Sequence, residues 1–172
     1  VNYIHVNDAL WLLREGEPGD RMTLPAGLQV VLGSESFAVG EEGLQLPAAD
    51  LPQMERIWLP LPAPGTISLP GWQVTTTLLT SSNLPSGWQA NTEPWQAWLD
   101  AEALGPAPAL RTRQEGDRLQ PLGMAGRSKL LAELFTNAKI PPSARDQWPL
   151  LVATNGDIAW VCGLRIDERA RI

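Results

Sequence analysis

The chain has 172 residues, 44% of them hydrophobic and 19% charged, which is enough for one ordinary domain or two small ones with a real core. Its one cysteine, Cys162, excludes a disulfide framework or a Cys-rich metal site and fits a reducing, cytoplasmic setting. No apolar run of 18 residues and no signal-peptide pattern is present, so neither a membrane nor a secreted role is expected.

The net charge of −6 is unevenly spread. Residues 1–109 carry three basic and twelve acidic side chains, whereas residues 110–172 carry ten basic and seven acidic ones. A basic half beside an acidic one points to nucleic-acid contact by the basic half, although so modest an excess also arises by chance.

In chain order, Val6, Leu10 and Leu13 follow helical spacing and predict an amphipathic helix over residues ~2–15, ended by Gly16-Glu17-Pro18-Gly19-Asp20. The start at Val1, already inside this pattern, suggests a piece of a longer polypeptide. Short extended segments follow at 21–24, 28–32, 36–39 and 57–59, with Gly33-Ser34-Glu35-Ser36 as a turn between strands. Trp72–Leu79 is the clearest strand, since Trp72, Val74, Thr76 and Leu78 alternate with the residues between them. Sixteen prolines argue against long helices, and Pro47, Pro52, Pro60, Pro62, Pro64 and Pro70 crowd one stretch with Ile57, Trp58, Leu59 and Leu61.

From Ala107 the pattern changes. Leu110–Arg113 reads as a strand and Gly116-Asp117 as a tight turn. A helix is predicted over ~128–138, with Leu130, Leu131, Leu134, Phe135 and Ala138 on its apolar face and Ser128 as its N-cap. Pro141-Pro142 stops it and opens a short second helix through Trp148. Asn155-Gly156 between Leu150–Thr154 and Ile158–Cys162 predicts a hairpin. The expected class is α+β, antiparallel and β-rich with few short helices, in two subdomains at 1–107 and 108–172.

Chemistry is sparse. Phosphate-loop, dinucleotide-binding and nucleophile-elbow patterns are missing from the sequence. His5 reads as an exposed polar residue and Cys162 as a small core residue rather than a nucleophile. Acidic residues form no metal-ligand spacing. Eight tryptophans could stack on bases, but Trp58, Trp72, Trp98 and Trp160 lie in apolar segments and read as core. No catalytic residue and no metal site are assigned.

One constellation stands out: Arg111-Thr112-Arg113, then Gly-Asp-Arg-Leu-Gln-Pro-Leu-Gly-Met-Ala-Gly over 116–126, then Arg127-Ser128-Lys129. It continues through Lys139-Ile140-Pro141-Pro142, Arg145-Asp146, Trp148-Pro149 and Gly163-Leu164-Arg165-Ile166-Asp167. Cations interleaved with turn residues suit phosphate contact, because loops supply N–H donors and Arg or Lys releases condensed counterions. Each piece also has a structural reading: Gly116 and Gly123 as turn residues, Asp117 as a turn cap, Arg145 paired with an acid.

These pieces in this order resemble the C-terminal domain of tRNA(Ile)-lysidine synthetase over about 108–172. The preceding part is similar more weakly, through Leu24–Leu28 and the Leu-Asp-Ala-Glu segment at 99–102. The resemblance implies a fold similar to a domain of phenylalanyl-tRNA synthetase. It also implies a parent ligase that uses ATP and lysine to convert the wobble cytidine of a CAU anticodon to lysidine. The Ser-Gly-Gly-x-Asp-Ser loop of that family's catalytic N-terminal domain is not in this sequence, so no cofactor is assigned to the chain. Its implied partners are tRNA(Ile) and the catalytic domain of the same protein, with a homodimer left open. The implied role is acceptor-stem recognition, with Arg111, Arg113, Arg118, Arg127, Lys129, Lys139, Arg145 and Arg165 as RNA-binding candidates. One departure is that Lys129 is followed by Leu-Leu-Ala, where family members often have more lysine. The alternative is a structural module whose cations neutralise the acidic half or dock it on the catalytic domain.

Overall fold

The computed structural model describes residues 3–17, 20–33, 36–44, 51–55, 58–69 and 71–172. It is an α+β protein of antiparallel sheets with few helices, as expected. Two compact units are formed, one from Val1–Leu51 with Lys139–Ala144 and the other from Pro52–Ala138 with Arg145–Ile172. This differs from the expected division at residue 107, because a strand from the earlier stretch is hydrogen-bonded into the later sheet. Pro47, Ile57, Pro70, Pro18-Gly19 and the central Ser34-Glu35 of one expected turn lie outside the described residues.

In the first unit, α1 (Tyr3–Glu15) precedes a three-stranded sheet of β1 (Arg21–Leu24), β2 (Leu28–Leu32) and β3 (Phe37–Glu41). Central β2 carries the buried Val30, Val31 and Leu32. The turn from β1 to β2 uses two left-handed residues in a row, Ala26 and Gly27, and only the glycine adopts that conformation without strain. The helix is where the periodicity places it, but its inward face is not the one expected. Val6 and Leu10 are 46% and 44% exposed, while Leu12 is buried. Leu12 projects about 200° around the helix from Leu10. It is chosen because the helix meets the sheet at its C-terminal turn: Gly16 donates to the Leu12 carbonyl at 2.9 Å, and a Cβ on Gly16 would lie 3.0 Å from Leu32.

The second unit is built on a five-stranded antiparallel sheet in the order β12-β11-β10-β7-β4. Its strands are β4 (Trp58–Pro60), β7 (Ala109–Arg111), β10 (Leu150–Val152), β11 (Ile158–Val161) and β12 (Arg165–Ile166). The register aligns Leu59, Leu110, Leu151, Trp160 and Ile166 across all five strands, and Trp58, Arg111, Leu150, Val161 and Arg165 in the adjacent row. Neighbouring rows point to opposite faces. One face carries Leu59, Leu110, Leu151 and Trp160 into a core with Met54, Leu61 and Cys162. A hairpin of β5 (Gly65–Leu69) and β6 (Trp72–Thr76) adds Ile67, Leu69, Trp72 and Val74 to it. Leu104 joins from α2 (Ala101–Leu104), whose N-cap Asp100 accepts from the Glu102 N–H. Burying one such large apolar side chain stabilises the fold by roughly 1.5–3 kcal/mol. The strand predicted over Trp72–Leu79 stops at Thr76, and Leu78 and Leu79 are exposed.

Elsewhere in this unit, β8 (Arg118–Leu119) and β9 (Lys129–Leu130) form a short ribbon ahead of α3 (Leu131–Asn137). Ser128 is therefore not the helix cap. The ribbon claims Lys129 and Leu130, and the N-cap position falls on Leu130 with no side-chain cap. The next helix, α4 (Pro142–Arg145), most of which is assigned to the first unit, ends before the expected Trp148, which is buried with its indole N–H on the Cys162 carbonyl at 2.9 Å. Phe135 of α3 packs against Trp148 at 5.9 Å between ring centres. The Asn-Gly hairpin forms, though not as a two-residue turn. Only Gly156 takes positive φ, and Gly156 N–H bonds to Ala153 at 2.9 Å, giving a three-residue loop with a bulge.

Candidate nucleic-acid interface

The eight cations singled out from sequence fall into distinct environments. Arg111 is 5% exposed, and its guanidinium grips both carboxylate oxygens of Asp117 at 2.7 and 2.8 Å. It also donates to the Thr112 carbonyl at 2.9 Å, and Asp117 accepts the Gln114 N–H at 2.8 Å. This side chain pins the β7–β8 turn and is not available to a phosphate, which corrects its place among the RNA-binding candidates. The physical reason is position: Arg111 sits in the interior of the sheet, between β4 and β10, and a buried charge there requires a partner.

Lys139 belongs to the first unit, where it is exposed and ion-paired with Glu17. That carboxylate, by hydrogen bond and by charge, raises the Lys139 pKa. Arg113 is half-buried and sits 3.5 Å from Asp146, a loose surface pair of small energetic weight. Arg145 is also half-buried, with Thr136 among its partners at 3.4 Å.

The other four surround one loop. The Pro121–Ser128 segment joins β8 to β9 and is fastened to the edge of the large sheet. Leu122 N–H bonds to the Ile166 carbonyl at 2.9 Å, Glu168 N–H to the Gln120 carbonyl at 2.7 Å, and Gly123 N–H to the Glu168 carboxylate at 3.2 Å. Beneath these bonds lies Asp167, fully buried, which accepts from Gln120 N–H at 2.7 Å and from Arg169 at 2.9 and 3.0 Å. Burial alone would raise the Asp167 pKa, but the hydrogen bonds from Arg169 and the Gln120 and Arg169 N–H groups outweigh it and hold the carboxyl below its ordinary value.

On this platform Arg118 is exposed, with its guanidinium on the Ser128 hydroxyl at 2.9 Å. That bond is the observed role of Ser128. Arg127 is exposed beside it, and Arg165 is exposed on the edge strand β12. Lys129 is half-buried. Paired residues of an antiparallel ribbon share a face, so Lys129 goes with buried Leu119 while Arg118 goes with Leu130. Arg127, Lys129 and Arg165 have no ion pair among the described residues. Arg118, Arg127 and Arg165 thus form an exposed cationic set, and the turn glycines Gly123 and Gly126, both at positive φ, keep the loop tight between them.

Two other candidates fall away. Arg169 lines a small cavity of about 230 Å³ with Ala103, Asn155 and Ala170. Its charge is already taken by Asp157 at 2.8 Å and by Asp167. Cys162 is buried, and desolvation pushes its thiol up to about 12, so it holds its proton at neutral pH and is no nucleophile. Among the tryptophans, the expectation of burial misplaced Trp58, which is exposed on edge strand β4. It overlooked Trp148, the fully buried one, and Trp95, which lies against Gly163. No spacing signal links Trp95 to a glycine so far along the chain.

Residues 109–171 match the family of TilS substrate C-terminal domains. The tRNA(Ile)-lysidine synthase of Symbiobacterium thermophilum is 38% identical over 171 residues, covering 96% of this chain and 33% of that protein. That of Geobacter sulfurreducens is 32% identical over 174 residues, covering all of this chain and 34% of the relative. The chain therefore spans about a third of the length of these curated relatives. The crystal structure of a TilS C-terminal domain superimposes with a TM-score of 0.56 and 30% identity, over 67% of this chain and 85% of that one. By sequence over its whole length and by fold over most of it, the chain belongs to the family of tRNA(Ile)-lysidine synthase C-terminal domains.

Proposed function

We propose that this chain is the non-catalytic, tRNA-binding C-terminal part of a tRNA(Ile)-lysidine synthase, and that it holds the acceptor stem. In this reading the parent enzyme is the ATP-dependent ligase that converts the wobble cytidine of a CAU anticodon to lysidine. ATP and lysine are handled by its catalytic domain, and this chain supplies grip on the RNA body. The observation that carries the reading is the fastened loop with Arg118, Arg127 and Arg165 exposed around it. Three guanidiniums on a rigid base suit phosphate oxygens, which Arg meets with paired N–H donors. The major groove of A-form RNA is too deep and narrow for side chains, so recognition rests on shape, phosphates and 2′-hydroxyls.

The test is the salt dependence of tRNA binding. Each phosphate contact contributes to the slope of log affinity against log salt, and removal of one Arg at the loop lowers that slope by about one. Binding that ignores salt overturns the reading.

A second role is favoured by α1, on which Tyr3, Ile4, Val6, Leu10 and Trp11 are exposed. An apolar stripe of that size is a docking surface rather than a solvated face, and the catalytic domain of the same enzyme is its natural occupant. Loss of association between the separately produced catalytic domain and a Leu10→Glu, Trp11→Glu variant is the expected result.

A further inference from the structure

We infer that the open face of Trp95 is a stacking platform for an unpaired nucleobase, namely the single-stranded 3′ end of the RNA whose stem the arginine loop holds. This deepens the tRNA reading and rests on it.

Trp95 lies flat. A Cβ on Gly163 would fall 2.4, 2.5 and 2.8 Å from three atoms of its six-membered ring, so the indole occupies the space that any side chain at 163 would fill. Its ring stacks on Trp148 at 6.3 Å with 28° between planes, and Trp148 is backed by Phe135. Yet Trp95 remains 51% exposed, as expected of a ring with its inner face covered and its outer face in solvent. The segment that presents it is braced. Asn91 donates to the Gln96 carbonyl at 2.8 Å and accepts the Glu93 N–H at 3.0 Å, and Trp95 N–H bonds to the Glu93 carboxylate at 3.2 Å. The Glu93 carboxylate, the nearest acid on its own segment, is thereby turned to the backbone.

What selects a nucleobase over another apolar partner is the charge alongside. Arg165 follows Gly163 by two residues, so its Cα lies within about 7 Å of the glycine under Trp95. The next residue, Ile166, holds the loop bearing Arg127 through the Leu122 N–H. A preorganised aromatic face with Arg165 two residues from the glycine beneath it offers the combination that single-stranded nucleic acid requires, a stack for the base and a cation for its phosphate. Trp is the side chain with the largest face for such a stack.

Two RNAs separate this inference from the reading beneath it: tRNA(Ile) with its unpaired 3′ nucleotides, and the same tRNA trimmed back to the last base pair. The wild-type chain is expected to prefer the intact RNA. Trp95→Leu, which keeps an apolar cover over Trp148, is expected to lose about 5- to 100-fold for the intact RNA. It should leave the affinity for trimmed RNA and the salt slope unchanged, and Trp95→Phe should recover much of the loss. A Trp95→Leu variant that weakens both RNAs equally, or neither, overturns the stacking inference while the tRNA reading stands. Should wild type bind neither RNA, both fall together. A probe that needs no variant is 2-aminopurine at the terminal nucleotides: quenching on addition of wild-type chain supports the stack, and unchanged emission overturns it.

Discussion

Arg111 and Asp117 form a bidentate ion pair that is almost wholly buried, with side chains 6% and 10% exposed and contacts at 2.7 and 2.8 Å. A residue that reads from sequence as the first cation of an RNA-binding run is instead a bolt inside the fold. The turn it secures leads into β8, which carries Arg118, so the pair supports the interface without belonging to it.

Removing one partner of this pair strands the other in the interior. Arg111→Ala is expected to cost roughly 3–5 kcal/mol, the usual penalty for an uncompensated buried charge. Arg118→Ala and Arg127→Ala, at exposed positions, should each stay within about 0.5 kcal/mol. Urea denaturation of the three variants measures the contrast directly.

Asp167 predicts an acid-sensitive anchor for the loop. Its folded pKa lies below the ordinary value of 3.8, so its contribution to stability is fully present above that pH and is lost as pH falls through the folded value. Thermal unfolding from pH 7 to pH 2 should show a steep loss below about pH 4 in wild type. Asp167→Asn should start less stable, because Arg169 loses its buried acceptor, and should show a shallower fall in that window. Parallel curves for the two proteins would contradict this role.

The corrected face of α1 makes a third expectation. Leu12→Ala should destabilise by about 2–5 kcal/mol, as buried Leu-to-Ala changes do. Val6→Ser and Leu10→Ser should change stability by no more than about 0.5 kcal/mol. The reverse ranking would restore the face that the periodicity suggests.

At Gly163 two constraints coincide, a φ of 74° and an indole pressed against the missing Cβ. Gly163→Ala is expected to destabilise by about 1–3 kcal/mol and to displace Trp95. The observable is increased access of a tryptophan to acrylamide quenching, absent in Trp95→Leu carrying the same glycine change.

The sequence marked the strands well where alternation was strong, as in Trp72–Thr76, and where a turn residue bounded them, as at Asn155-Gly156. Helix positions were also legible, since periodicity is a local property. What could not be read was which way each residue faced. Val6, Leu10 and Leu13 define a stripe, but only the sheet decides that Leu12 goes in. Likewise Arg111 and Arg118 look equivalent along the chain, and only the register places the first between β4 and β10 and the second on a two-residue ribbon. Long-range pairs such as Trp95 with Gly163 leave no spacing signal at all.

The most direct measurement is the affinity of the chain for tRNA(Ile) across a salt series, for wild type and for Arg118→Ala/Arg127→Ala/Arg165→Ala. Wild-type affinity should fall steeply with salt, and the triple variant should bind more weakly at low salt with a slope shallower by about three. An unchanged slope in a folded triple variant would contradict the assignment of this loop to the RNA.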